Sequence, residues 1–147
     1  MKNPTLLLVD DDLAVLAALT NALRSRGFTV IDANNGEDAL QYAEAHPEID
    51  VALIDINMPK QNGWEVVQQL QLTSPLVPVI LITALPDQLE RASMNGVAAL
   101  LEKPLDIPML LETIEELRRE SPSQRLERLT QRRSAPRYVS PMETAAV

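Results

Sequence analysis

The sequence predicts an open α/β fold in which a five-stranded parallel sheet carries helices on both faces. Short apolar runs alternate with helix-like segments five times along the chain. The runs are mostly continuous rather than alternating with polar residues, which is typical of strands that are buried on both faces. Short connections between the units favour a doubly wound sheet with right-handed crossovers.

The five predicted strands end, in four cases, on a reactive polar side chain. The strands cover residues 6–9, 28–33, 51–55, 78–82 and 98–101. The polar residues at their ends are Asp10, Asp11, Asp55, Thr83 and Lys103. Because parallel strands all point the same way, their carboxyl ends share one edge of the sheet, and ligands bind outside that edge. The sequence therefore predicts a site that gathers acids, a hydroxyl and an amine.

The predicted helices lie between these strands and have residues suited to helix ends. They cover residues 13–26, a segment that carries Ala39, Leu40 and Ala43, residues 64–72, about 86–95, and a segment from Asp106. The first helix stops at Gly27 and the fourth before Gly96, because glycine tolerates the positive φ of a helix end. Pro59 and Asn62-Gly63 mark a loop between the third strand and its helix. The fifth helix repeats leucine or isoleucine at helical spacing.

The domain boundary is expected near residue 120. With 147 residues, the chain has the length of one domain, so we assign residues 1–120 to the α/β domain and residues 121–147 to a basic tail. Ser121, Pro122 and Gln124 form a capping-box start for a short helix over 122–133. From residue 134 onward the hydrophobic density is low, and the tail is expected to be flexible.

The composition excludes several classes of protein. The chain has no cysteine, which excludes disulfides, thiolate metal sites and thiol catalysis. No apolar run approaches the roughly 20 residues that span a bilayer, and the N-terminus lacks the apolar region of a signal peptide. We therefore expect a cytoplasmic protein.

The net charge of −8 is unevenly distributed. Residues 1–117 contain six Lys or Arg and eighteen Asp or Glu, whereas residues 118–147 contain seven Arg and three Glu. An arginine-rich tail could in principle bind nucleic acid. The acidic body would repel its phosphates, so this function is the less favoured one.

Three carboxylates crowd together at the predicted sheet edge. Each pair of unit charges at about 4 Å costs roughly 4 kcal/mol at an effective dielectric near 20, so either one acid takes a proton or a divalent cation binds. Oxygen ligands without His or Cys favour Mg²⁺. With Thr83 and Lys103 nearby, such a site suits a phosphoryl group. Asp55 stands alone at its strand end and is the natural nucleophile for an aspartyl-phosphate.

Five motifs resemble the signature set of response regulator receiver domains, in order and at suitable spacing over residues 5–119. They are Leu7-Leu8-Val9-Asp10-Asp11-Asp12, Leu53-Ile54-Asp55-Ile56-Asn57-Met58-Pro59, Asn62-Gly63, Ile82-Thr83-Ala84 and Lys103-Pro104. The resemblance implies a flavodoxin-like sheet with the strand order 2-1-3-4-5. It also implies a protein that catalyses only its own phosphorylation and dephosphorylation.

The resemblance further assigns roles to individual residues. Asp55 would accept a phosphoryl group from a histidine kinase or phosphotransfer protein. Asp11, Asp55 and the backbone carbonyl of Asn57 would bind Mg²⁺, and Asp10 would contribute through water. Thr83 and Lys103 would contact the phosphoryl oxygens, and the Lys103-Pro104 bond would be cis.

The resemblance also implies a switch in protein contacts. Thr83 would move toward the phosphate, and the surface around the fourth helix, fifth strand and fifth helix would repack. That surface is expected to meet a downstream protein target, and it is also where a homodimer would form. Leu100 departs from the pattern, because receivers often carry Tyr or Phe at this position as the rotating partner of the threonine.

Two other functions stay open alongside this one. A degenerate receiver would serve as a phosphorylation-independent scaffold, although the acid pair, Thr83 and Lys103 are all present. A phosphatase with an aspartyl nucleophile would need a second acid two residues after Asp55 to protonate the leaving group. Asn57 occupies that position, which counts against turnover of external phosphoesters.

Overall fold

The computed structural model describes residues 3–58, 62–84, 92, 96–131 and 137–139. Its strands are β1 (Thr5–Val9), β2 (Thr29–Ala33), β3 (Val51–Asp55), β4 (Val79–Thr83), β5 (Ala99–Glu102) and β6 (Arg137–Val139). Its helices are α1 (Leu13–Arg24), α2 (Gly36–Ala45), α3 (Gly63–Thr73), α4 (Ile107–Arg118) and α5 (Pro122–Gln131). Helix α4 is the fifth helix predicted from the sequence. Of the predicted helix 86–95, only Ala92 is described, as a buried helical residue, and the rest lies outside the described residues.

The strands form one sheet in the order β2-β1-β3-β4-β5-β6, and every neighbouring pair is parallel. The predicted order 2-1-3-4-5 is therefore confirmed for the first five strands. Alternate residues of β1 enter opposite cores: Leu7 and Val9 lie in the cluster that holds α2 and α3, and Leu6 and Leu8 lie in the cluster that holds α1 and α4. The sheet is thus covered on both faces, as continuous apolar strands predict.

The sixth strand lies in the predicted tail. The sequence predicts flexibility from residue 134 onward, whereas residues 137–139 form β6, which pairs in parallel with β5. Residues 134–136 and 140–147 lie outside the described part of the chain. Without β6, the outer edge of β5 would present unpaired backbone groups, which proteins commonly cover. Helix α5 lies within the predicted tail helix 122–133, whose last two residues fall outside the described part of the chain. Its start has the expected capping box, in which Ser121 and Gln124 exchange side-chain to backbone hydrogen bonds of 2.9 and 3.2 Å.

Helix starts at the carboxyl edge of the sheet are capped by Asp or Asn side chains. Asp12 caps α1 by accepting from the N–H groups of Ala14 and Val15, and Asn35, Asn62 and Asp106 cap α2, α3 and α4. Gly27, which follows α1, and Gly96 both have positive φ, as predicted, and most of the helix predicted before Gly96 lies outside the described residues. Within the described residues, no helix is long and apolar enough to cross a membrane.

Gly63 is required by close packing beside the predicted site. A Cβ atom at this position would lie 2.7 Å from the Cα atom of Ile56 and 3.3 Å from the carbonyl oxygen of Asp55. The first turn of α3 can therefore approach the end of β3 only if residue 63 lacks a side chain.

Gly63→Ala is expected to lower the free energy of unfolding by about 1–3 kcal/mol, the usual cost of overpacking a close contact. Urea denaturation monitored by circular dichroism measures this change. A midpoint equal to that of the parent would mean that the backbone around Ile56 gives way at no cost, contrary to the packing described here.

Candidate functional site

The predicted site is a pocket of about 650 Å³ at the carboxyl ends of the strands. It is lined by Asp10, Asp11, Asp12, Leu13, Val15, Asn34, Asn35, Asp55, Asn57 and Lys103. Five of the six predicted site residues thus share one pocket. The sixth, Thr83, is fully buried next to it and reaches the pocket through a hydrogen bond to Asn57.

Asp55 lies at the centre of the site and has both carboxylate oxygens engaged. Its side chain is only 4% exposed. The ammonium of Lys103 donates to Oδ2 at 2.6 Å, and the backbone N–H of Asn57 donates to Oδ1 at 2.8 Å. The Lys103-Pro104 peptide bond that follows is cis, as the resemblance implies. The Lys103 ammonium beside this buried carboxylate can also bind the oxygens of an incoming anion, because its positive charge is already in place.

Asp10 is a second buried acid, and its environment favours the protonated form. Burial raises its pKa to about 6, and the nearby negative charge of Asp55 acts in the same direction. The hydrogen bond from the Asp12 N–H to Oδ1, at 2.9 Å, opposes this shift, as does the positive charge of Lys103. The repulsion between carboxylates that the sequence predicts therefore contributes to the raised pKa of Asp10, and a cation in the pocket would reduce that repulsion.

Asp10→Asn is expected to stabilise the metal-free protein at neutral pH. The folded state holds the proton of Asp10 more tightly than the unfolded chain between the ordinary pKa of 3.8 and about 6, so stability falls as pH rises through that window. Asparagine keeps the acceptor for Asp12 and cannot ionise. The gain in unfolding free energy should grow from near zero at about pH 4 to about 1–3 kcal/mol at about pH 7.

Urea denaturation of both proteins at these two pH values tests this prediction. If the difference between Asp10→Asn and the parent were the same at both, ionisation of Asp10 would carry no folding cost and the burial argument would be wrong.

The side chain of Asn57 has a role that sequence reasoning did not find. Its Oδ1 accepts from the Thr83 hydroxyl at 3.1 Å and from the Ala84 N–H at 2.9 Å. The resemblance implies a role for the backbone carbonyl of Asn57 only. In this arrangement the side chain ties the end of β4 to the loop after β3, and it holds Thr83 on the side of that loop.

The pocket walls also include residues that were not predicted. Asn34 and Asn35 follow β2, and Leu13 and Val15 lie in the first turn of α1. The asparagines could have been found with the same strand-end rule, because they follow the carboxyl end of a parallel strand. Leu13 and Val15 are large apolar residues with exposed fractions of 64% and 42%, and nothing in the helical pattern alone assigns them to a site.

The donor set of the pocket suits a hard divalent cation. Carboxylates of Asp10, Asp11 and Asp55 and the oxygens of Asn57 line the same space, with no sulfur or imidazole among the lining residues, and oxygen-only sets are what Mg²⁺ prefers. In the described part of the chain, no three acidic or histidine side chains already stand at metal-binding distances. These residues therefore supply the oxygen donors that Mg²⁺ prefers, and they line the same pocket.

Comparison with known proteins agrees with these features. Residues 6–115 match the family described as the response regulator receiver domain. The chain is 36% identical over 120 residues to a CpxR homolog of Haemophilus influenzae, covering 80% of this chain and 52% of the relative. It is 33% identical over 114 residues to the transcriptional regulatory protein GlrR of Escherichia coli, covering 76% and 25% respectively.

Solved structures show the same fold. The chemotaxis protein CheY4 of Vibrio cholerae has a TM-score of 0.72 and 26% identity, covering 78% of this chain and 98% of that one. A structure described as the CheX-CheY-BeF3-Mg+2 complex from Borrelia burgdorferi has a TM-score of 0.71 and 30% identity, covering 78% and 88%. This chain spans about a quarter to a half of the curated relatives that it matches. Its sequence, sheet order and acidic pocket place it in the response regulator receiver domain family.

Proposed function

We propose that this chain is a phosphoacceptor switch in which Asp55 takes a phosphoryl group from a histidine kinase or phosphotransfer protein. The observation that carries the proposal is the buried Asp55 carboxylate with the Lys103 ammonium at 2.6 Å, at the floor of an acidic pocket. Asp55 Oδ would attack phosphorus while the bond to the donor's histidine nitrogen breaks. The histidine keeps the electron pair and takes a proton from solvent.

The other residues of the pocket would neutralise charge rather than react. Asp10, Asp11, Asp55 and the backbone carbonyl of Asn57 would hold Mg²⁺, which lowers the repulsion between the carboxylates and the incoming phosphoryl group. Lys103 would transfer its hydrogen bond from Asp55 Oδ2 to a phosphoryl oxygen. This keeps a compensating positive charge beside the buried anion throughout the reaction.

Thr83 would report the reaction to the rest of the molecule. Its hydroxyl bonds to Asn57 Oδ1 in the present arrangement, and reaching a phosphoryl oxygen would require it to leave that acceptor. Leu100, at the position where an aromatic partner is common, is fully buried in the core cluster of α2 and α3. The switch would therefore use movement of β4 and β5 rather than an aromatic ring that changes between buried and exposed positions.

The partners in this proposal are proteins. A phosphodonor protein would bring its histidine to the pocket, and a downstream target would read the altered surface around β5 and α4. The proposal includes a homodimer that forms through that surface. It also includes a cytoplasmic location, because histidine kinases present their phosphoryl groups there. The Borrelia complex supports the choice, since its description names a second protein together with CheY, BeF3 and Mg.

The three other functions have less support. A phosphatase needs an acid in place of Asn57, whose amide instead holds Thr83 and Ala84. A phosphorylation-independent scaffold would have no use for the short ion pair between Lys103 and Asp55. Nucleic-acid binding by the tail is disfavoured by the acidic pocket and body, which would repel phosphates.

The proposal predicts that acetyl phosphate and Mg²⁺ add one phosphoryl group to the parent protein and none to Asp55→Asn. Asparagine has the shape of aspartate but lacks the nucleophilic carboxylate, so the loss should be complete. Intact-mass spectrometry measures the adduct. An equal adduct on both proteins would place the reaction elsewhere, and no adduct on either, with no Mg²⁺ binding, would favour the scaffold.

A further inference from the structure

The tail of this chain continues the sheet beyond the five strands of the predicted fold. Residues 137–139 pair with β5 in parallel, with Ala99 opposite Arg137, Leu100 opposite Tyr138 and Leu101 opposite Val139. This pairing covers the outer edge of β5. Of this part of the tail, the structure describes the three residues 137–139.

Helix α5 is held against the body independently of β6. The guanidinium of Arg125 donates to the carbonyl oxygens of Leu76 and Leu117, each at 3.2 Å. These acceptors follow α3 and lie at the end of α4, respectively. The anchor therefore keeps α5 close to the sheet even when residues 137–139 are unpaired.

The direction of the backbone groups identifies which bonds join β5 to β6. Successive N–H groups of a strand point to opposite edges, and the Lys103 N–H donates to the Thr83 carbonyl of β4, at 2.8 Å. The N–H groups of Ala99 and Leu101 therefore face β4, whereas the Leu100 N–H faces β6. Leu100 stands opposite Tyr138, so in a parallel pair the Leu100 N–H bonds to the Arg137 carbonyl and the Leu100 carbonyl accepts from the Val139 N–H.

The strand that β6 covers is continuous with the predicted phosphorylation site. Glu102, the last residue of β5, is in register with Thr83, and the Lys103 N–H donates to the Thr83 carbonyl at 2.8 Å. Lys103 then bonds to Asp55 through its side chain. If phosphorylation of Asp55 moves Thr83 and Lys103, the end of β5 therefore moves with them.

We infer that the outer edge of β5 is a strand-pairing surface that residues 137–139 close in the unphosphorylated protein and open when Asp55 is phosphorylated. This inference rests on the proposed function for its trigger. A phosphoryl group on Asp55 would draw Lys103 and Thr83 to its oxygens and shift the end of β5. The pairing described between β5 and residues 137–139 has few backbone bonds with which to follow that shift, so these residues detach while Arg125 retains α5.

Residue-resolved hydrogen exchange by NMR tests the pairing in the full chain. Val139→Pro removes an N–H that faces β5, whereas in the matched control Tyr138→Pro the lost N–H points away from β5, where proline is tolerated at an edge. In Val139→Pro, the Leu100 amide should exchange on the order of tenfold faster than in the parent. The Leu101 amide, which faces β4, should be unchanged, and Tyr138→Pro should resemble the parent.

The trigger is tested by adding Mg²⁺ and beryllofluoride, an acyl-phosphate mimic, to the same proteins. Protection of Leu100 in the parent should fall toward the level of Val139→Pro. By reciprocity, Val139→Pro should bind beryllofluoride more tightly than the parent, by a factor within the usual range of about 5–150. The Arg125 contact should persist, so the α5 amides should keep their protection.

Three results would overturn the inference, and they are distinguishable. Equal exchange of Leu100 in the parent and Val139→Pro would mean that the tail does not close the edge. Beryllofluoride that shifts the Asp55 resonances without altering that exchange would make β6 a permanent strand. Beryllofluoride that shifts no resonance near Asp55 would refute the trigger together with the proposed function, while the first comparison would still decide the pairing.

Discussion

Lys103→Met is expected to slow phosphorylation of Asp55 by acetyl phosphate by about 10²–10³-fold, the usual cost of removing one preorganised donor that stabilises developing negative charge. The ammonium of Lys103 lies 2.6 Å from Asp55 Oδ2, and Asp55 is buried. Without this group, the new phosphoryl oxygens would enter the pocket with one fewer positive charge. The rate of adduct formation, followed by intact mass over time, measures the effect.

Arg26→Met is a matched control for Lys103→Met. Arg26 is exposed just beyond the end of α1, and its replacement removes the same unit of charge from a position outside the pocket. It should phosphorylate at the parent rate. Equal slowing in both variants would show that net charge controls the reaction, and an unchanged rate in Lys103→Met would remove Lys103 from the proposed mechanism.

Asp11→Asn is expected to have the second large effect, a loss of Mg²⁺ affinity of at least about tenfold together with slower phosphorylation. Mg²⁺ is held through only one or two carboxylates and demands near-ideal geometry, so removing one carboxylate from the set weakens the site strongly. Asp11 lines the pocket and is half-buried. Isothermal titration calorimetry with MgCl₂ measures the affinity directly.

The neighbouring residue supplies the control for this measurement. Asp12 lines the same pocket, but its side chain caps α1 by accepting from the Ala14 and Val15 N–H groups. Asparagine caps a helix as well as aspartate does, so Asp12→Asn removes the same charge while the cap is kept. If Asp12→Asn weakened Mg²⁺ binding as much as Asp11→Asn, the pocket would attract the ion by its overall charge and not through specific ligands.

Most of the fold could be predicted because its strands are buried on both faces. Continuous apolar runs such as 6–9 and 51–55 mark such strands, and parallel connection places their carboxyl ends on one edge. That single rule located Asp10, Asp55 and Lys103 in one pocket. The helix ends followed from local chemistry, since Gly27 adopts positive φ and Asp12 caps α1.

The missed features depend on contacts between distant segments. β6 is three residues of a polar tail, and it forms a strand because β5 presents an open edge to it. The bond from Thr83 to the side chain of Asn57 joins residues that follow different strands, so no local pattern contains it. The raised pKa of Asp10 likewise needs the depth of the pocket, which burial by surrounding segments determines.

The most direct test of the central claim is to locate the phosphoryl group chemically. Phosphorylated protein is treated with borohydride, which reduces an acyl phosphate to an alcohol and converts the modified aspartate to homoserine, and the peptides are then sequenced by mass spectrometry. Our account predicts homoserine at position 55 only, formed in the presence of Mg²⁺. Homoserine at Asp10 or Asp11, or a phosphorylated protein with no homoserine at all, would contradict it.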